Sequence, residues 1–88
     1  MTRRYEVTPE IVEAIAEVDG ISPHDLEYTL YEYIDTEALE KLMTSEHRDW
    51  ELMFQVPNHT VMVRGNGQIL IDGAIVRDLS DRQFERVE

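Results

Sequence analysis

The stretch "RGNGQ", residues 64–68, lies between the apolar runs "VMV" and "ILI" and decides how the second half of the chain folds. Glycines on both sides of an asparagine mark a hairpin, and the length of its loop sets which side chains share a face. A two-residue Asn66-Gly67 loop places Val63 opposite Leu70 and Met62 opposite Ile71, mixing the two apolar sets. A three-residue loop, Gly65-Asn66-Gly67 with Gly67 left-handed, pairs Val63 with Ile69 and Val61 with Ile71, and is the reading adopted. Upstream, Trp50, Leu52, Phe54 and Val56 alternate with Glu51, Met53 and Gln55, the period of a strand with one buried face. "PNHT" turns the chain between the two runs. The expected sheet is a three-stranded antiparallel meander that buries Leu52, Phe54, Val56, Val61, Val63, Ile69 and Ile71. Its other face shows Met53, Gln55, Met62, Arg64, Gln68 and Leu70.

The first half reads as helical. In "TPEIVEAIAEVDG" Thr8 is the expected cap, Pro9 suits the first helical position, and Gly20 suits the left-handed residue after the last turn. Ile11, Ala14, Ile15 and Val18 follow the i, i+3, i+4, i+7 spacing of a buried stripe, with Glu10, Glu13 and Glu17 on the solvated side. "SPHDL" repeats the start signal for a single turn capped by Ser22. "EYTLYEYID" is expected to be extended or irregular, its tyrosines packed as a connector with their hydroxyls at the surface. Asp35 then caps "TEALEKLM", with Ala38, Leu39, Leu42 and Met43 facing inward. Beyond Asp72, "DGAIVRD" is compatible with a fourth short strand, and "SDRQFERVE" with a short helix opened by Ser80 and Gln83.

Charge is the strongest feature of the composition. Nineteen Asp and Glu stand against eight Lys and Arg, a formal net charge of −11. Residues 5–47 carry twelve acids and one base, while residues 48–88 carry seven and five. From Leu52 to Ile71 there is no acid at all. A chain this acidic repels itself at low ionic strength, a cost that falls where the Debye length shrinks to ~3 Å at about 1 M salt, so a salty cytoplasm is the expected setting. With 42% hydrophobic residues in regular periods, the chain is expected to fold as one domain over residues 1–88. It has no cysteine, which fits a reducing compartment, and no run approaches the ~20 apolar residues of a membrane span.

No motif for catalysis emerges. His24, His47 and His59 fall in three different turns without metal-ligand spacing, and read as surface side chains. "GNG" lacks the helix and lysine of a phosphate loop. Asp49 and Glu51 have no third acid to complete a two-carboxylate metal site. The scattered bases do not provide the clustered cations that direct nucleic-acid binding needs.

The order "VTPEIVEAIAEVDGISPHDLEYTLYEYIDTEALEKLM", an aromatic-rich strand and "VMVRGNGQILI" resembles the halobacterial output domain family, the first of the two so named. The likeness runs from about Tyr5 to Ile71, with residues 72–88 as an extension. "EYTLYEY" stands where the family usually has a proline-containing connector. The resemblance implies a haloarchaeal source and a role beside receiver or sensor domains as an output module, here standing alone. It supplies no catalytic residues, no metal and no cofactor.

The expectations are therefore an α+β domain with two main helices on one face of the meander, and a non-enzymatic cytoplasmic interaction module in signal transduction or regulation. Its partner would be a protein of receiver, kinase or transcription-factor type, or a second copy. The alternatives are a transcriptional accessory acting near DNA through a partner or dimer, and a small-molecule sensor using the tyrosines. The candidate interaction face is Met53, Gln55, Met62, Arg64, Gln68 and Leu70, because methionines adapt and the patch lacks acid. In the competing arrangement the C-terminal segment folds over that face through Ile75, Val76, Leu79 or Phe84.

Overall fold

The computed structural model describes residues 7–80. Helix α1 spans Val7–Asp19 and helix α2 spans Thr36–Met43, with single 3₁₀ turns at Pro23–Asp25 and Leu30–Glu32 between them. Four strands follow, β1 (Glu51–Val56), β2 (His59–Arg64), β3 (Gln68–Ile71) and β4 (Ala74–Asp78), in one antiparallel sheet of order β1-β2-β3-β4. The fold is α+β as expected, with four strands instead of three. The helices cover one face, and one core cluster joins Ile11, Ile15, Leu39 and Met43 to Val61, Val63, Ile69 and Ile71.

The glycine turn adopts the three-residue form. Val61 pairs with Ile71 and Val63 with Ile69, Gly67 has φ +101°, and its N–H donates to Arg64 O at 2.9 Å. Both glycines are also required by packing. A Cβ on Gly67 would lie 2.8 Å from the backbone of Leu79 and Ser80, and one on Gly65 would strike the backbone of Arg48. The turn is thus clasped between the chain entering β1 and the chain leaving β4. Pro57 and Asn58 make the preceding two-residue turn, Asn58 supplying the positive φ of 70° that a type II turn needs after proline.

α1 ends as the sequence implies. Ile21 N–H donates to Ala16 O at 3.0 Å and Gly20 N–H to Glu17 O at 3.1 Å, the paired bonds of a Schellman close around left-handed Gly20. Its start differs. Val7 and Thr8 are already helical, and the carboxylate of Glu40 on α2 accepts from Val7 N at 3.0 Å and Thr8 N at 2.9 Å. A side chain from the neighbouring helix does the capping assigned to Thr8. The buried stripe accordingly begins a turn earlier, at Val7, and Val18 is 46% exposed at the end where Gly20 turns the chain away. In α2, Asp35 accepts from Ala38 N at 3.1 Å as expected. Leu39 and Met43, one turn apart, are buried, whereas Ala38 is exposed and Leu42 is 37% exposed, since two turns of helix meet the core along a single line.

The tyrosine stretch is more ordered than expected. Glu32 accepts from Thr29 N at 2.8 Å and from its hydroxyl at 2.9 Å, closing a 3₁₀ turn that buries Leu30. The Thr29 N–H holds the Glu32 carboxyl below its usual range. Tyr28 and Tyr33 meet edge to face with centroids 5.4 Å apart, and the Tyr28 hydroxyl is buried rather than at the surface.

β4 is the largest addition. Asp72 (φ 52°) and Gly73 (φ 88°) turn the chain, Ile71 pairs with Ala74, and a bulge at Val76 restarts the register at Ile69↔Arg77. Val76 packs on the core, and Arg77 reaches Glu17 at 2.9 Å and Glu10 at 4.0 Å on α1. Two of the glutamates read as purely solvated therefore face a cation. Leu79 is buried in the core and donates its N–H to Gly67 O at 2.8 Å. Leu52 and Phe54 are only half-buried because β1 is an edge strand. The expected helix with Phe84 and Val87 lies outside the described residues.

Candidate interaction surface

Register places the six candidate residues on the outer face in rows across the strands. Met53 pairs with Met62, Met62 with Leu70, and Leu70 with Ile75, giving one apolar side chain from each strand in an unbroken row. The row is open at its ends and closed in the middle. Met53 is 63% exposed and Ile75 54%, while Leu70 is 7% exposed between its neighbours. Ile75 thus extends the face as part of β4 instead of folding over it, and Val76 and Leu79 lie on the core side.

A polar row flanks the apolar one. Glu51 accepts from Arg64 Nε at 3.0 Å, and Arg64 Nη1 donates to Gln68 Oε1 at 2.9 Å. Gln68 pairs in register with Asp78, whose carboxyl is held below its usual range by hydrogen bonds from the Ser80 hydroxyl and N–H, with a smaller share from Gln68. The face therefore contains carboxylates at its edges, contrary to its expected freedom from acid, and Arg64 is already paired. On the other side of the apolar row, Gln55 pairs with Thr60.

A second arrangement sits at the far end of the sheet, where the histidines had been read as unremarkable. His59, with a side chain only 10% exposed, sets Nδ1 2.5 Å from Asp72 Oδ2 and Nε2 2.7 Å from Asp19 Oδ1. The ring ties the last turn of α1 to the β3–β4 turn. Asp72 also accepts from Thr60 N at 2.9 Å, and this bond first and His59 second hold its carboxyl low. Donation to the Asp72 carboxylate first, and to Asp19 second, raises the His59 pKa above its ordinary value. Both ring nitrogens face carboxylates, so the cluster joins two elements that are far apart in the chain. The signal for it was the Asp72-Gly73 turn, whose register sets Asp72 beside the start of β2; nothing local pointed to Asp19.

Among the described residues no group of three or more His, Cys, Asp or Glu side chains is arranged to hold a metal ion, and no helix is long and apolar enough to cross a membrane. His24 and His47 are exposed and apart.

The sequence model of halobacterial output domain 1 matches residues 3–73, and the chain belongs to that family. The match stops at the β3–β4 turn, so β4 and the buried Leu79 lie beyond it. No curated protein and no solved structure matches the chain.

Proposed function

We propose that this halobacterial output domain acts as a non-enzymatic, cytoplasmic protein-interaction module, and that it docks through the outer sheet face. The family's name as an output domain is consistent with a signalling or regulatory role. Met53, Gln55, Met62, Arg64 and Gln68, joined by Ile75 and backed by buried Leu70, form the contact, and the occupant is a receiver, kinase or transcription-factor type of protein or a second copy. The observation that carries this reading is the apolar row whose two ends, Met53 and Ile75, are more than half exposed on edge strands. Solvent-facing edges ordinarily carry charge, and this chain has acid in abundance. At molar salt charge steering is screened within ~3 Å, so apolar contact is what can hold a partner there. The double variant Met53→Gln, Ile75→Gln tests it by sedimentation in molar potassium chloride, alone and with candidate receiver domains. Loss of association with an unchanged urea midpoint supports the face; association equal to that of the unmodified chain refutes it.

A further inference from the structure

Two buried side-chain polar atoms lack a hydrogen-bond partner among the described residues, Thr8 Oγ1 and the Tyr28 hydroxyl, and both residues wall the same cleft. The cleft, of about 340 Å³, lies where the first turn of α1 meets the 3₁₀ turns and the start of α2. That volume is at the low end of small-molecule sites, roughly 300–1,000 Å³. Val12, Leu26 and Leu30 supply apolar wall, and Thr36 adds a further hydroxyl. Among the described residues no Asp, Glu, Lys, Arg or His lines it, in a chain with nineteen acids. The neighbouring groove around Tyr33, by contrast, is lined by Asp19, Asp25, Glu27 and Glu32.

We propose that this cleft binds a small, uncharged, planar molecule whose carbonyl oxygen accepts from the Thr8 and Tyr28 hydroxyls. Ligand sites combine apolar walls with a few polar groups, and this cleft has apolar walls with hydroxyl-bearing residues among them. Buried polar groups are nearly always paired, so two unpaired hydroxyls on one cleft leave an unfavourable state that a carbonyl guest relieves. Each can adjust. Threonine in a helix divides between two χ1 rotamers, so Oγ1 can turn toward a guest. Tyr28 is held on the edge-to-face contact with Tyr33, and burial raises its pKa, so the phenol is a protonated donor at neutral pH. Charge selects against ions: an ammonium or carboxylate guest would lose its hydration and find no counter-charge among the described residues of the wall.

Benzamide is the probe, titrated into the isotope-labelled full chain in molar potassium chloride and followed by amide chemical shifts. Saturable shifts are expected at Thr8, Val12, Leu26, Tyr28, Leu30 and Thr36, with a dissociation constant on the order of 1 mM. Benzoate and benzamidinium, its charged analogues, should bind about tenfold more weakly. Tyr28→Phe and Thr8→Val remove only unpaired oxygens, so both should fold at least as well as the unmodified chain while weakening benzamide binding about fivefold or more. Absence of saturable shifts up to about 20 mM benzamide overturns the proposal. So do benzamidinium binding as well as benzamide, shifts centred on the outer sheet face, or undiminished binding by both hydroxyl variants.

Discussion

Replacing His59 by Gln should abolish most of the chain's stability change between pH 6 and pH 9. In the folded chain the ring faces a carboxylate at each nitrogen, at 2.5 Å and 2.7 Å. A neutral imidazole has one N–H, so it can satisfy only one of these; the other contact then opposes a nitrogen lone pair to a carboxylate oxygen. Protonation supplies both donors, and the folded state accordingly raises the His59 pKa above 6.5. A raised folded value means that the stabilisation is fully present below the unfolded pKa and is lost as pH climbs through the folded one. A hydrogen bond to a charged group contributes about 1.5–3 kcal/mol when buried and an exposed ion pair about 0.2–1. His59 is covered, but Asp19 and Asp72 are 38% and 49% exposed, so each bond belongs between those ranges. Two such bonds amount to about 1–3 kcal/mol, lost from just below neutrality upward. Glutamine can donate to one carboxylate but presents oxygen to the other, and it does not titrate. Urea unfolding at constant molar salt, measured across that pH range, gives the difference directly. If the unmodified chain and His59→Gln lose stability in parallel, the clasp between α1 and the β3–β4 turn is not the titrating element and the reasoning fails.

Glu40→Ala removes both acceptors for Val7 N–H and Thr8 N–H and should cost about 1–3 kcal/mol in urea unfolding, whereas Thr8→Val should cost little if Glu40 is the cap. Gly67→Ala meets both a positive φ and the Leu79–Ser80 backbone at 2.8 Å, so it should destabilise by about 2–4 kcal/mol. Gly73→Ala, at φ +88° with nothing within 4 Å, should cost only about 1 kcal/mol, and equal midpoints for the two would disprove the clasping of the turn. Lowering salt from molar to tens of millimolar should reduce stability through repulsion among the acids of residues 5–47, and an unchanged denaturation midpoint would remove salt adaptation as the reason for the charge.

What the sequence made legible was local. The loop of Gly65, Asn66 and Gly67 and the alternation around it set the register of β2 and β3. The contacts that escaped notice are long-range. Glu40 reaches across 33 residues to cap α1, His59 reaches across 40 to Asp19, and Arg77 crosses the sheet to Glu10 and Glu17. Such partners depend on how elements are laid together, which periodicity does not contain. Val18 and Leu42 were misplaced for a related reason: a helical stripe predicts a direction, but the length over which a core exists to receive it is set by neighbouring elements. Of the outer face, membership was legible from alternation, while the burial of Leu70 depended on β4 and Ile75 beside it.

The absence of acid from the middle of the outer-face row has a cause in the sheet. β2 and β3 are interior strands, so Met62 and Leu70 have same-face neighbours on both sides at roughly 4.5–5.5 Å between Cβ atoms. A carboxylate there would lose much of its water with no cation in reach, since Arg64 is engaged by Glu51 and Gln68. The acids accordingly appear where solvent reaches them, at Glu51 on β1, Asp78 on β4 and Asp72 in the turn. Interior position explains Met62 and Leu70, and it needs no partner. It does not explain Met53 and Ile75, which lie on the two edge strands where a glutamate would be solvated on one side and would guard the edge against pairing. Those two exposed side chains complete the apolar row in the one direction that solvation disfavours, and the docking role proposed for this face rests on them rather than on the hairpin between them.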